Sequence, residues 1–420
     1  MLNWLNYEKG VRETSKVWFI DVRGTDFTPS SHFWQSRING IIETILHEAN
    51  PGSLSEPALI KTHIGEPRCV TRMLPQYCLS TVKFLRALSI NRIVCGDTTV
   101  AYAGDRGYYD NLKDCAKYLS LAQKHGWSKD GVLGIPFVVL DRPATSIKDV
   151  FEFDREDKEI EPSASRLYRK VYMSGGFDLA QTVINHVHLT LHDMAQVACA
   201  VKGITMGASS RKGKLIMHKC FYPRIDEYKC LACGVCADKC PERALIWENG
   251  ELPRLKRQIC IGCGECAVVC SGGAITMSTS EIQNWLHGAD TMPFRMADYI
   301  LAMMSGKWHT VINIAHLYNI TKRCDCVSSV QEPICPHIGF LISQNPFAID
   351  SLALSLLNAE IYKMLETGKI NSSAPIDKDR ALEKVFFDDN YHGSGYYEKK
   401  TIQQQYGVIV EPETVVITAY

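Results

Sequence analysis

Eight cysteines fall between residues 230 and 270, and their spacing is the first feature of the chain that could do chemistry. Cys230, Cys233, Cys236 and Cys240 follow C-x2-C-x2-C-x3-C and precede Pro241. Cys260, Cys263, Cys266 and Cys270 repeat the spacing and precede Ser271. Three thiolates so placed wrap a short loop around one cubane with backbone N–H groups turned to its sulfurs, and the fourth leads away to a second cube. The pattern therefore predicts two [4Fe–4S] clusters. Cys230, Cys233, Cys236 and Cys270 are assigned to one, and Cys260, Cys263, Cys266 and Cys240 to the other. Gly234, Gly262 and Gly264 suit the sharp turns such loops need. Paired C-x2-C elements also bind zinc. The doubled spacing, Pro241 and the matching Ala-Leu-Ile and Ala-Ile-Thr tails favour clusters, and with them transfer of single low-potential electrons.

Other groups offer weaker signals. Cys324, Cys326 and Cys335, with His337 nearby, form a possible third metal or cluster site, since thiolates and imidazole are soft, compact ligands. The plainer reading is thiols packed beneath the core. His186, His188 and His192 follow the apolar run 179–184, where a parallel sheet places its ligand-binding loops. A helix there would set His188 and His192 on one face, fit to bind metal or move protons; the alternative is histidines satisfied by ordinary hydrogen bonds. Lys61, His63 and Glu66 form an acid–base group at a probable strand end, able to anchor an anion and protonate a reduced product, or else a surface salt bridge. Residues 207–215 have five residues between glycines where a P-loop has four, and lack Ser or Thr after Lys214, so nucleotide hydrolysis is rejected. Anion binding by Ser209, Ser210, Arg211 and Lys214 stays open. No G-x-G-x-x-G follows a strand, which leaves a dinucleotide or flavin site unsupported.

The elements that must position these groups read as α/β. Residues 16–21 and 91–97 are β-prone, and further strands are expected at 134–141, 179–185 and 408–419. Helical spacing marks 31–49, 79–89, 110–124, 280–304 and 350–367. This alternation predicts a mostly parallel sheet flanked by helices. The charged stretch 153–163 reads as a solvated connection or exposed hairpin. With 420 residues, more than one structural unit is expected. The division is an α/β body at 1–218 and 281–420, interrupted by a ferredoxin-like unit at 219–280. Forty-six basic and 46 acidic residues give zero net charge, which argues against a broad grip on nucleic acid or anionic membrane. No apolar run approaches the ~18–20 residues of a spanning helix, and the opening nine residues carry no secretory pattern, so the chain reads as cytoplasmic.

The flanks resemble the domain of unknown function 362 family of iron–sulfur proteins. The resemblance rests on 17–23, Ile60-Lys-Thr-His-Ile-Gly-Glu66, Gly96-Asp97, 102–106, 207–218, Cys324-Asp-Cys326, 338–343 and 346–350, in order along nearly the whole chain. It implies an α/β body with an inserted ferredoxin unit and redox work in anaerobic or microaerobic metabolism, and brings no substrate. Where the family tends to carry His-x-Lys-Gly-His, this chain has His188-Leu-Thr-Leu-His192, with Thr190 at the lysine's place, and a glycine-rich Lys-Asn stretch is largely replaced at 195–203. The pocket is expected to have diverged accordingly.

More than 300 residues surround a unit that could carry electrons alone. The expectation is therefore a ferredoxin-type reductase: an external low-potential donor such as ferredoxin or flavodoxin charges the clusters, which reduce a small molecule in the α/β body beside Lys61, His63, Glu66, His188 and His192. The alternative is an electron carrier or redox subunit that docks a partner enzyme.

Overall fold

The computed structural model describes residues 16–100, 104–107, 115–141, 157–161, 168, 170–192, 195–218, 222–240, 243–248, 250–257, 259–260, 265–276, 292–371, 378–386 and 411–419. In chain order the strands are β1 (Lys16–Asp21), β2 (Ala58–Lys61), β3 (Ile93–Asp97), β4 (Phe137–Val139), β5 (Asp157–Ile160), β6 (Val171–Ser174), β7 (Thr182–His188), β8 (Thr190–His192) and β9 (Gln196–Ala198). After them come β10 (Arg224–Ile225), β11 (Leu245–Ile246), β12 (Arg254–Leu255), β13 (Ile275–Thr276), β14 (Val311–Leu317), β15 (Gly339–Ser343) and β16 (Glu413–Thr418). The longer helices are α1 (His32–Glu48), α2 (Leu79–Ala87), α3 (Ala116–Lys124), α4 (Ala200–Ala208), α5 (Met292–Met303) and α6 (Pro346–Glu366).

Eight strands form one sheet in the order β16-β1-β15-β14-β7-β2-β3-β4. Only β15 runs against its neighbours β1 and β14; the other pairings are parallel. Central parallel strands are covered on both faces and so read as near-continuous apolar runs, and every residue of β7 and β14 is buried. Alternate side chains enter different layers. Ile184 and Ile314 join Ile38, Ile42, Phe84 and Leu121 of α1–α3 on one face. Val183 and Val311 join Val201 and Ile204 of α4 and Ile300 of α5 on the other, while Phe19, Ala315 and Leu341 meet Ile349 and Leu357 of α6. The result is a helix–sheet–helix sandwich, as the pattern predicted. No helix among the described residues is long and apolar enough to cross a membrane.

Several boundaries differ from the sequence reading. The strand expected at 179–185 begins only at Thr182, because Gly175–Leu179 is helical, and runs through His188, because His186 and His188 satisfy their rings inside the sheet layers and need no loop. The strand expected at 134–141 shortens to Phe137–Val139. Helix α6 starts at Pro346, ahead of the expected 350, because the Asn345 side chain accepts from Phe347 N (2.9 Å) and Ala348 N (3.2 Å) with proline at the first position. The charged stretch contributes β5, hairpinned to β6. The expected segments 110–114, 280–291 and 408–410 lie outside the described residues.

Candidate active site

Strands β2, β3, β7 and β14 run in parallel and end together, the usual position for a ligand crevice in an open α/β sheet. Their C-terminal ends border a cavity of about 140 Å³. Lys61 closes β2, Asp97 closes β3 and His188 closes β7. Helix α4 supplies Lys202, Gly203 and Met206, the following short helix supplies Lys214, and the loop after β14 supplies Cys324, Asp325 and Cys326.

One wall is a buried charge network centred on Asp97. Lys61 Nζ donates to Asp97 Oδ1 (3.1 Å) and to Thr62 O (2.8 Å), and Arg106 Nη2 donates to Asp97 Oδ2 (2.7 Å). Arg106 Nη1 also reaches Glu66 Oε1 (3.1 Å) and His63 Nε2 (2.8 Å), while Tyr118 OH donates to Asp97 Oδ2 (2.9 Å). Burial alone would raise the Asp97 carboxyl; Lys61 and Arg106 overcome it and hold the group well below the usual range. Burial, then Arg106, drives His63 well down, so it is neutral and accepts the arginine proton.

The opposite wall centres on Asp325. His188 Nδ1 lies 2.8 Å from Asp325 Oδ2 and Nε2 lies 2.6 Å from Tyr318 O, so both ring nitrogens face acceptors. Burial opposes the charged ring, but the Asp325 carboxylate more than offsets it and raises His188. Asp325 Oδ1 accepts from Cys69 Sγ (3.2 Å), and Asp325 O accepts from Glu66 N (3.0 Å), which ties the two walls together.

Two lysines complete the lining. Lys214 Nζ donates to Thr98 Oγ1 (2.6 Å) and Ser209 O (2.7 Å), and burial lowers it to about 7. Lys202 makes no hydrogen bond or ion pair among the described residues, and burial with neighbouring Arg106 lowers it to about 8. His192 is driven well down by burial and Lys202, and its Nδ1 accepts from Ala195 N (3.1 Å).

The cysteine-rich segment folds as two like halves. Strands β10 and β13 pair, as do β11 and β12, so each ribbon joins the start of one half to the end of the other. Asp226 N donates to Ala274 O (2.7 Å) and Lys256 N to Ala244 O (2.8 Å). Ala244 N donates to Cys240 Sγ (3.2 Å) and Ala274 N to Cys270 Sγ (3.3 Å). A small cavity of about 20 Å³ is lined by Cys230, Cys233, Cys236 and Cys270 with apolar residues that include Leu231, Val235 and Ile275. Gly234 adopts φ +72°, and a Cβ there would meet the Trp247 ring at 2.6 Å. Four cysteine sulfurs gathered in an apolar hollow, with the Ala274 N–H on Cys270 Sγ, are the donor chemistry an iron–sulfur cube takes. Cys240, Cys260 and Cys266 are described for the second set; Cys263, Gly262 and Gly264 lie outside the described residues.

A family described as Domain of unknown function (DUF362) matches residues 58–355. The chain belongs to this family. Among solved structures it is similar to the lactate racemase apoprotein from Thermoanaerobacterium thermosaccharolyticum, with 11% identity and a TM-score of 0.33 over 73% of this chain and 52% of that one. The chain thus spans about half the length of that protein. Comparison with curated proteins gives no match. The DUF362 match runs from the first residue of β2 into α6, and so takes in every cavity residue from Lys61 to Cys326 as well as the cysteine-rich segment.

Of the residues singled out from the DUF362 sequence, Lys61, His63, His188 and His192 all line the cavity. Glu66 stands behind it, against Arg106. His188 and His192 do not share a helix face: His188 ends β7 and His192 ends β8. The proposed trio of Cys324, Cys326 and Cys335 is not brought together. Cys324 and Cys326 are disulfide-paired at the cavity wall, whereas Cys335 is buried among Leu317, Ile338 and Ile361, and burial pushes its thiol up to about 12. His337 packs edge-on against Phe27 and takes the Asn319 N–H (3.3 Å). Ser209 and Ser210 do not form an anion loop, since Ser209 donates to Thr205 O and Ser210 caps the helix Arg211–Met217. Asp97, Arg106, Lys202, His218 and Asp325 escaped the residue-by-residue reading. The signal for four of them was present, because Asp97, Arg106, His218 and Asp325 lie inside family-like segments.

Proposed function

We propose that this protein is an iron–sulfur reductase that binds a small anionic substrate in the cavity at the ends of β2, β3, β7 and β14. The observation that carries this reading is the convergence of Lys61, Arg106, Lys202 and Lys214 on one hollow, with Lys202 uncommitted to any hydrogen bond or ion pair among the described residues. Basic side chains converging on this hollow favour negative charge there, and charge-assisted bonds at partly buried positions are stronger than in water. Cys230, Cys233, Cys236 and Cys270 would hold one [4Fe–4S] cluster, and Cys260, Cys263, Cys266 and Cys240 the other; when bound, these supply single electrons at low potential. Lys202 anchors the anion. Lys61 and Arg106 are kept in place by Asp97, and His188, its two ring nitrogens turned to Asp325 and to Tyr318 O, holds the Asp325 wall of the cavity. An external ferredoxin or flavodoxin is the donor class suited to such clusters.

The test is stopped-flow reoxidation of dithionite-reduced protein by a panel of small carboxylates and phosphates under anaerobic conditions. The expected result is reoxidation by at least one of them, slowed roughly tenfold or more in Lys202→Met, as loss of a charge-assisted anchor implies. Reoxidation only on adding a partner protein, with no anion binding by calorimetry, would replace the reductase with an electron carrier.

A further inference from the structure

A group apart from the cation wall lies on the cavity surface: one ring nitrogen of His192 and the sulfurs of Cys324 and Cys326 are all within 4.8 Å of one another. We propose that, with the disulfide reduced, these three side chains hold a thiophilic divalent cation of the zinc class, whose remaining coordination position opens on the anion pocket. The inference goes beyond the reductase reading and does not depend on the clusters.

Two thiolates and one imidazole are a soft donor set suited to such an ion, and three protein ligands leave a position for water or substrate. The loop is fixed before any ion arrives. Asp325, between the two cysteines, is held by His188 Nδ1, Cys69 Sγ and Glu66 N, and Val327 N donates to Cys324 O (3.0 Å) across the turn. A loop backbone held in this way removes part of the ordering cost of binding, and on reduction the two sulfurs turn apart to the spacing a tetrahedral ion needs. Two thiolates neutralise the dication, so the four nearby cations do not repel it as a bare charge. An anion anchored by Lys202 then becomes the fourth ligand.

The chemistry balances. The disulfide takes two electrons and two protons from an added dithiol to give two thiols, the dithiol becoming a disulfide. The cation displaces the two thiol protons. At His192 it takes either the Nδ1 lone pair that now accepts Ala195 N–H or the place of the proton on the other nitrogen. The oxidised form cannot bind, so the site is open only under reducing conditions.

The experiment uses anaerobic full-length protein treated with dithiothreitol, then with zinc chloride, and desalted, with zinc and iron counted separately by mass spectrometry. The expected result is about one zinc per chain in wild type. That zinc should be lost in Cys326→Ser and held at least tenfold more weakly in His192→Ala, while the iron count stays unchanged and the Cys335→Ala control keeps it. Zinc-edge absorption should report two sulfurs at ~2.3 Å with nitrogen or oxygen making up the shell. Zinc equal in wild type, Cys326→Ser and His192→Ala would overturn the proposal, as would no zinc uptake after both thiols are shown by alkylation to be free. Failure of the cluster reading appears separately, as missing iron.

Discussion

Asp97 keeps two cations in place at once, and no other carboxylate reaches Lys61 among the described residues. Asp97→Asn leaves Lys61 buried without its counter-charge and Arg106 with Glu66 alone, which costs about 3–5 kcal/mol in comparable sites; urea denaturation should show the unfolding free energy fall by that amount at unchanged slope. Lys202 is the opposite case. Its amine is charged against burial, so Lys202→Met should weaken anion binding about 10- to 100-fold without loss of stability. Because Lys202 titrates near 8, affinity of the wild type should fall as pH rises through about 8, and calorimetry on Lys202→Met should lack that limb. The His188–Asp325 pair gives a second pH signature. His188 is raised, so its contribution is full below its ordinary value and is lost as pH climbs through the higher folded one. Asp325 is depressed, so its contribution is lost as pH falls through the acid range. The histidines and Lys61 were legible because their types are rare at strand ends. Lys202 was not, because a lysine amid helix-forming residues looks like a solvated face until the fold turns that face inward.

At the scale of elements, the site depends on how closely α4 lies on the sheet. A Cβ at Gly203 would meet Val187 Cγ1 at 2.3 Å and Asn185 Oδ1 at 3.0 Å, and one at Gly207 would meet Lys61 Nζ at 2.7 Å. Gly203→Ala gains helix propensity of about 1 kcal/mol but forces α4 away from β7, an overpacking cost of about 1–3 kcal/mol. The expected net result is a modest loss of stability with a larger loss of anion binding, since Lys202 is carried on the displaced helix; thermal melts and calorimetry on one preparation separate the two. The sandwich itself was legible, from apolar runs for the strands and helical spacing for α1, α2 and α6. The end of β7 was not. His186 is polar by type, yet it is fully buried, with Thr81 Oγ1 at 2.8 Å from Nε2 and His316 Nε2 at 2.9 Å from Nδ1. Burial lowers it to about 3. A neutral histidine so satisfied belongs to a strand, and no spacing rule distinguishes it from a loop histidine.

For the whole molecule, the cluster reading predicts about eight irons and eight acid-labile sulfides per chain after anaerobic purification; a value near four would leave one of the two cysteine sets empty. That reading rests on the spacing of the eight cysteines. What spacing could not show is that β1, the first strand among the described residues, is bordered there by late-arriving partners. Trp18 pairs with Ile342 on one side and Val415 on the other. During synthesis at ~5–20 residues per second, β1 waits on the order of tens of seconds for its neighbours, while the cysteine-rich segment has already left the ribosome. On the cluster reading, assembly would therefore act on a nascent chain whose main sheet is still open at that border, so that loading and closure of the sheet are separate events in time.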